Sequence, residues 1–150
     1  MMEKRFEKQS DRDREKQTLE IFFKDKEFTF IQSDELSKED AKIINDDLLI
    51  IGYCEVKTMF KNLEDTEYVR IGLRKICSSQ EKSILKGKPF LFIWRFNNAI
   101  GSIWLEQIKG TVRWGGRKNP RKGSLFDREL ILYINKNNLK IINSKKLNNE

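Results

Sequence analysis

The sequence contains no histidine. That removes the imidazole general base, any histidine-bearing zinc site, and the Ser–His and Cys–His nucleophile pairs. Two cysteines, Cys54 and Cys77, are too few for a four-cysteine zinc site. They would suffice for one disulfide, but the N-terminal stretch Met1 to Gln9 is charged and lacks the apolar segment of a secretory signal. The expectation is a reduced, cytoplasmic protein whose thiols are core or incidental. Long apolar runs are also missing. The longest, Leu48–Ile51 extended through Gly52 to Cys54, is far short of the roughly 20 residues of a membrane span. Hydrolytic chemistry in this chain would have to run on carboxylates, lysine, hydroxyls or thiols.

What is present is charge. Lys and Arg number 30 against 23 Asp and Glu, a formal net charge of +7. Such a balance points to a polyanionic partner only where the charge clusters, because richness in Lys, Asn and Ile also follows from nucleotide bias. With 150 residues and 38% hydrophobic residues the chain can bury a core. The length suits one domain, with an ordered core over about 5–142 and a polar C-terminal tail.

Hydrophobic spacing predicts the elements. Charged residues at i,i+3 and i,i+4 spacing predict a helix over about Arg5–Phe23. Alternation predicts a strand within Lys26–Gln32. Ala41–Ile44 and Leu48–Met59 read as a hairpin about the turn triplet Asn45-Asp46-Asp47. Tyr68–Leu73 reads as a strand, and Arg74–Lys86 as a helix ended by Gly87 and Pro89. Phe90–Phe96 and Ile100–Ile108 form the clearest hairpin, about Asn97-Asn98. Thr111–Trp114 reads as an edge strand and Gly115–Ser124 as a basic loop. Glu129–Ile134 reads as a strand, and Leu139–Ile142 packs at the end. The order α-β-β-β-β-α-β-β-β defines an α/β (α+β) domain.

Glu55-Val56-Lys57 closes the apolar strand. Side chains alternate along a strand, so Glu55 and Lys57 share one face. Asp40 begins the preceding hairpin strand, and an antiparallel return brings it toward Glu55. Two convergent carboxylates suit a hard divalent cation such as Mg²⁺ or Mn²⁺, which takes oxygen ligands and keeps several waters. With a lysine alongside, this is a set of groups able to hydrolyse a phosphodiester without histidine.

An Asp, then Glu-x-Lys at a strand end, resembles the PD-(D/E)XK nuclease superfamily. Glu39 stands where that family usually has proline. The surroundings are similar to small phage-type members: an N-terminal helix with Asp13, Arg14 and Glu15, a later helix carrying Lys75, the strand after Pro89, and Gly115-Gly116-Arg117 followed by Asp127 and Glu129. The resemblance implies a restriction-endonuclease-like fold with a mixed central sheet flanked by helices. It implies Asp40 and Glu55 as metal ligands, the Val56 carbonyl as a third, and Lys57 as the catalytic lysine. Glu15 resembles the helix-borne acid some members add, with Glu20 as a competitor.

Lys109–Lys122 holds Lys109, Arg113, Arg117, Lys118, Arg121 and Lys122, with Trp114, three glycines and no acidic residue. Arg and Lys neutralise phosphate, and glycine lets backbone amides approach it. Of these, Arg113, Arg117, Lys118, Arg121 and Lys122 are the candidate nucleic-acid-binding residues. Blander readings stand beside these. Glu55 and Lys57 would serve equally as a solvated pair, Glu15 and Lys75 as surface charges, the basic stretch as solvated surface, and Gly115-Gly116 as turn geometry. The aromatic set Phe90, Phe92, Trp94, Phe96 and Trp104 reads as core.

The expected function is metal-dependent hydrolysis of nucleic-acid phosphodiesters, DNA before RNA, in phage or prophage DNA processing, without a membrane role. A homodimer would serve double-strand cuts. The alternative is a non-catalytic nucleic-acid-binding or host-interaction protein that retains the fold.

Overall fold

A computed structural model describes residues 9–34, 37, 39–116 and 128–142. The elements are α1 (Gln9–Phe23), β1 (Thr29–Gln32), β2 (Ala41–Ile44), β3 (Ile50–Thr58), β4 (Tyr68–Gly72), α2 (Leu73–Lys86), β5 (Phe90–Arg95), β6 (Ile100–Trp104), β7 (Thr111–Gly116), β8 (Arg128–Asn135) and β9 (Lys140–Ile142). No helix among the described residues is long and apolar enough to cross a membrane.

The first three strands form an antiparallel meander. Asn45 makes the β2–β3 turn: its side-chain oxygen accepts from the amides of Asp47 and Leu49, both at 3.0 Å. This lets Leu48 take a left-handed φ of 63°. After β3 the chain passes through β4 and α2 and returns as β5, parallel to β3, with Glu55 opposite Phe92 and Lys57 opposite Trp94. Helix α2 stops where Gly87 adopts φ 63° and its amide reaches back to Ile84, a turn conformation that glycine permits.

The strands form the expected mixed sheet of an α/β domain and, beside it, a second sheet. One is a six-stranded mixed sheet in the order β1-β2-β3-β5-β6-β9, and the other is three-stranded, β4-β8-β7. The physical reason is edge availability. Strand β3 is already flanked by β2 and β5, so β4 pairs with β8 instead. The predicted strand Ile100–Ile108 also ends early, at Trp104, and Leu105–Gln107 form a 3₁₀ turn. Gly115 and Gly116 belong to β7, opposite Glu129 and Arg128, rather than to a loop. A Cβ on Gly115 would collide with the Ile131 side chain, so this glycine serves strand packing.

Two buried clusters hold the layers together. On one face of the large sheet, Leu19, Ile21, Phe22 and Phe23 of α1 pack with Ala41, Ile43, Cys54, Leu91 and Ile93. On the other, Phe90, Phe92, Trp94 and Phe96 pack with Val69, Ile71, Leu132 and Ile134 of the small sheet. Each such side chain contributes roughly 1.5–3 kcal/mol on burial. Trp104, expected in the core, is only half-buried. Cys54 is buried and Cys77 exposed, with both thiols free. Only the second half of α1 is buried. Its first half remains outside the core and carries Arg12, Arg14 and Glu15, with Arg12 bonded to Ser33 and Glu15 to Gln32 at the end of β1.

Candidate active site

Asp40 sits immediately before β2. Its backbone is fixed on both sides: its carbonyl accepts from the Ser33 amide at 2.9 Å and its amide donates to the Cys54 carbonyl at 3.0 Å. Its carboxylate turns toward β3, where Oδ2 accepts from the Val56 amide at 2.7 Å. The hairpin therefore ties Asp40 to the middle residue of Glu55-Val56-Lys57.

Glu55 is mostly buried, and Lys75 Nζ lies 2.9 Å from its Oε1. Oε1 is nonetheless buried without an aligned hydrogen bond. The Glu55 carboxyl is pushed up to about 7. Burial is the main cause, the Asp40 charge adds to it, the Lys75 ammonium opposes it, and Glu15 raises it further. Lys75, read from sequence as a surface residue, is thus part of the site: α2 starts at Leu73 and aims its first turn back at β3.

Glu15 is half-buried on α1, and its Oε1 accepts from Gln32 Nε2 at 2.8 Å, while the same amide donates to the Arg12 carbonyl at 3.2 Å. Gln32, at the end of β1, thereby holds Glu15 toward the carboxylates. Glu20, the competitor, is exposed and lines a separate groove beside Phe28 and Phe30.

Lys57 follows Glu55 on the same face, as strand alternation requires. Its ammonium is pushed below the ordinary lysine range, first by burial and then by repulsion from Arg70, with Glu129 and Glu55 pulling the other way. Glu129, assigned no chemistry from sequence, therefore faces Lys57. Its carboxylate also lies against Gly72, where a Cβ would stand 2.9 Å from Oε1.

Glu39 is the feature that spacing did not reveal. Only 2% of it is exposed. It accepts from Ser33 Oγ at 2.7 Å and Lys42 Nζ at 3.0 Å, and it pairs with Lys82 of α2. Burial alone would raise its pKa; the bonds from Lys82, Ser33 and Lys42 outweigh that and bring it down to about 2. Glu39 clamps the chain just ahead of Asp40 to both β2 and α2.

Among the described residues, no group of three or more His, Cys, Asp or Glu side chains is assembled as a metal site. The donor set nevertheless suits a hard cation. Asp40 and Glu55 repel one another enough to raise Glu55, and Mg²⁺ is commonly held by only one or two carboxylates with water completing its shell.

Arg113 is exposed on β7, stacked 5.3 Å over the Tyr133 ring. Arg117, Lys118, Arg121 and Lys122 lie outside the described residues, as does Asp127. Compared with known protein families, with curated proteins and with solved structures, the chain matches none of them.

Proposed function

We propose that the protein is a metal-dependent nuclease of the PD-(D/E)XK type, acting on DNA phosphodiesters inside the cell, in phage or prophage DNA processing. The observation that carries this reading is the 2.7 Å bond from the Val56 amide to Asp40, which joins a carboxylate to the Glu-x-Lys strand end. The chain order also supports it: a helix, an antiparallel meander, then a helical return to a strand parallel to β3.

In this reading Asp40 and Glu55, with the Val56 carbonyl, would hold Mg²⁺ or Mn²⁺. The cation would polarise the phosphoryl oxygen and lower the pKa of its water. Lys57 orients the attacking water and offsets charge that builds on the phosphoryl oxygens. Lys75 favours the ionised form of Glu55, the form able to act as a ligand. Gln32 holds Glu15 where it can accept a proton or bond a water. Arg113 and the basic residues 117–122 would carry the phosphate backbone.

The ion pair between Lys75 and Glu55 favours a second reading. An ammonium already paired with the carboxylate suits a protein that binds nucleic acid, or a host protein, without cutting. Labelled single-stranded, duplex, flapped and four-way DNA, incubated with Mg²⁺, Mn²⁺ or EDTA, separates the two. Metal-dependent cleavage lost in Asp40→Ala and Lys57→Ala supports the nuclease. Salt-sensitive binding without cleavage supports the second reading.

A further inference from the structure

Lys75 occupies an unfavourable place for a cation. It lies in the first turn of α2, where the helix macrodipole favours acids and repels ammonium groups. That turn carries no acidic residue, and Gly72 ahead of it supplies no side-chain cap. What compensates is Glu55 on β3, whose Oε1 stands 2.9 Å from Lys75 Nζ. The contact is one of charge, because Oε1 gains no aligned hydrogen bond from it. Lys57 also acts on Glu55, but it is drawn to Glu129 as well and repelled by Arg70. Lys75 is thus the ammonium in contact, a single charge set against the carboxylates of Glu55, Asp40 and Glu15. A divalent cation brings twice that charge to the same oxygen.

The pair is not sealed in. The Lys75 and Glu55 side chains are 30% and 26% exposed, so water reaches both. A cavity of about 270 Å³ adjoins them, and both residues line it. At a share of roughly 30 Å³ for each water, it accommodates several of the waters that Mg²⁺ keeps when one or two carboxylates hold it. A partly exposed ion pair contributes little to stability, and lysine carries its charge on a flexible four-carbon stem. Lys75 can therefore leave Glu55 without moving α2.

We propose that Lys75 is the resident counter-ion of the site: it pairs with Glu55 in the metal-free protein and is displaced from that carboxylate by the divalent cation. The proposal rests on the nuclease reading and adds a competition to it, because ammonium and metal contend for one group. A site whose binding-competent form is only a fraction of the population binds more weakly by that fraction. The Lys75–Glu55 pair then belongs to the metal-free state alone, and its presence there is compatible with cutting.

Two measurements test this, and neither needs cleavage. Electron paramagnetic resonance of Mn²⁺ at pH 8 gives affinities for the wild type, Lys75→Met and Lys75→Arg. Lys75→Met keeps the stem and removes the charge, and it should bind about fivefold more tightly or better, whereas Lys75→Arg should bind like the wild type. NMR of the lysine side chains follows the ammonium itself, with the Lys75 signal identified by its absence in Lys75→Arg. Mg²⁺ should move that signal to the position it has in metal-free Glu55→Gln. A wild type that binds Mn²⁺ as tightly as Lys75→Met, equal tightening in Lys75→Arg, or a Lys75 signal that bound Mg²⁺ leaves in place would overturn the proposal and leave the nuclease reading standing. Mn²⁺ held by Lys75→Met alone would mean a pair that the cation cannot displace, which overturns the proposal and favours the reading without cutting. Binding by none of the three proteins removes the nuclease reading and the proposal with it.

Discussion

The Asp40 carboxylate accepts its hydrogen bond from the Val56 amide, 2.7 Å away and sixteen residues later in the chain. Val56 has Glu55 before it and Lys57 after it, so this bond sets the acidic and basic groups of the site in one frame. The side-chain carboxylate accepts the Val56 amide just past Ala41 and Cys54, the last paired residues of the β2–β3 ladder. The negative charge it brings is the strongest charge acting on Glu55.

Asp40→Asn keeps the shape and removes that charge. The Glu55 carboxyl, now near 7, should titrate clearly lower in the variant. Carboxyl-carbon NMR in metal-free buffer measures this directly. An unchanged Glu55 titration would mean that burial alone sets its pKa.

Stability should depend on pH in two opposed windows. Glu39 is lowered from 4.5 to about 2, so its contribution is complete above 4.5 and is lost as pH falls toward 2, by about 3 kcal/mol. Glu55 is raised from 4.5 to about 7. The native state therefore holds its proton where the unfolded chain has lost it, and stability falls by up to about 3 kcal/mol as pH rises from 4.5 to 7. Urea unfolding in EDTA should show a maximum near 4.5. Glu55→Gln should flatten the upper limb alone. A Glu55→Gln profile that still declines between 4.5 and 7 would contradict the assignment.

Glu39→Ala strands two ammonium groups, those of Lys42 and Lys82, and frees the chain ahead of Asp40. Breaking a fully buried pair costs about 3–5 kcal/mol. Both lysines are partly exposed, so about 2–3 kcal/mol is expected. Glu39→Gln, which can still accept from Ser33, should cost less. Denaturant midpoints for the two variants check both the size and the order.

The basic segment should act through charge. Replacing Arg117, Lys118, Arg121 and Lys122 together with alanine should weaken DNA binding and reduce the slope of log affinity against log salt. On duplex DNA the reduction is about 0.9 for each phosphate the variant no longer neutralises. Binding isotherms at several salt concentrations measure it. An unchanged slope would mean these residues do not touch the backbone.

Much of the scaffold was legible in the sequence because short-range rules govern it. The Asn45 turn, the glycine stop at Gly87 and the alternation that puts Glu55 and Lys57 on one face are local signals. So is the placement of Asp40 at the start of β2, which follows from hairpin arithmetic. What was not legible depends on partners distant in the chain. Lys75 and Lys82 are separated by two turns of one helix, and nothing in their spacing says that one meets Glu55 and the other Glu39. Gln32 looks like an ordinary strand end until α1 lies across it. The split into two sheets follows from competition for the β3 edge, which no single segment reveals. Gly115 resembles a turn residue, yet the side chain of Ile131, sixteen positions on, is what requires it.

The central claim is that Asp40 and Glu55 together hold a divalent cation, and it can be tested without knowing the substrate. Electron paramagnetic resonance of Mn²⁺, titrated at pH 8 into the wild-type protein and into Asp40→Asn and Glu55→Gln, reads free against bound ion. One ion bound per chain, weakened at least tenfold in each variant and displaced by Mg²⁺, is the predicted result. No binding by the folded wild type, or binding that both variants keep, would contradict the account.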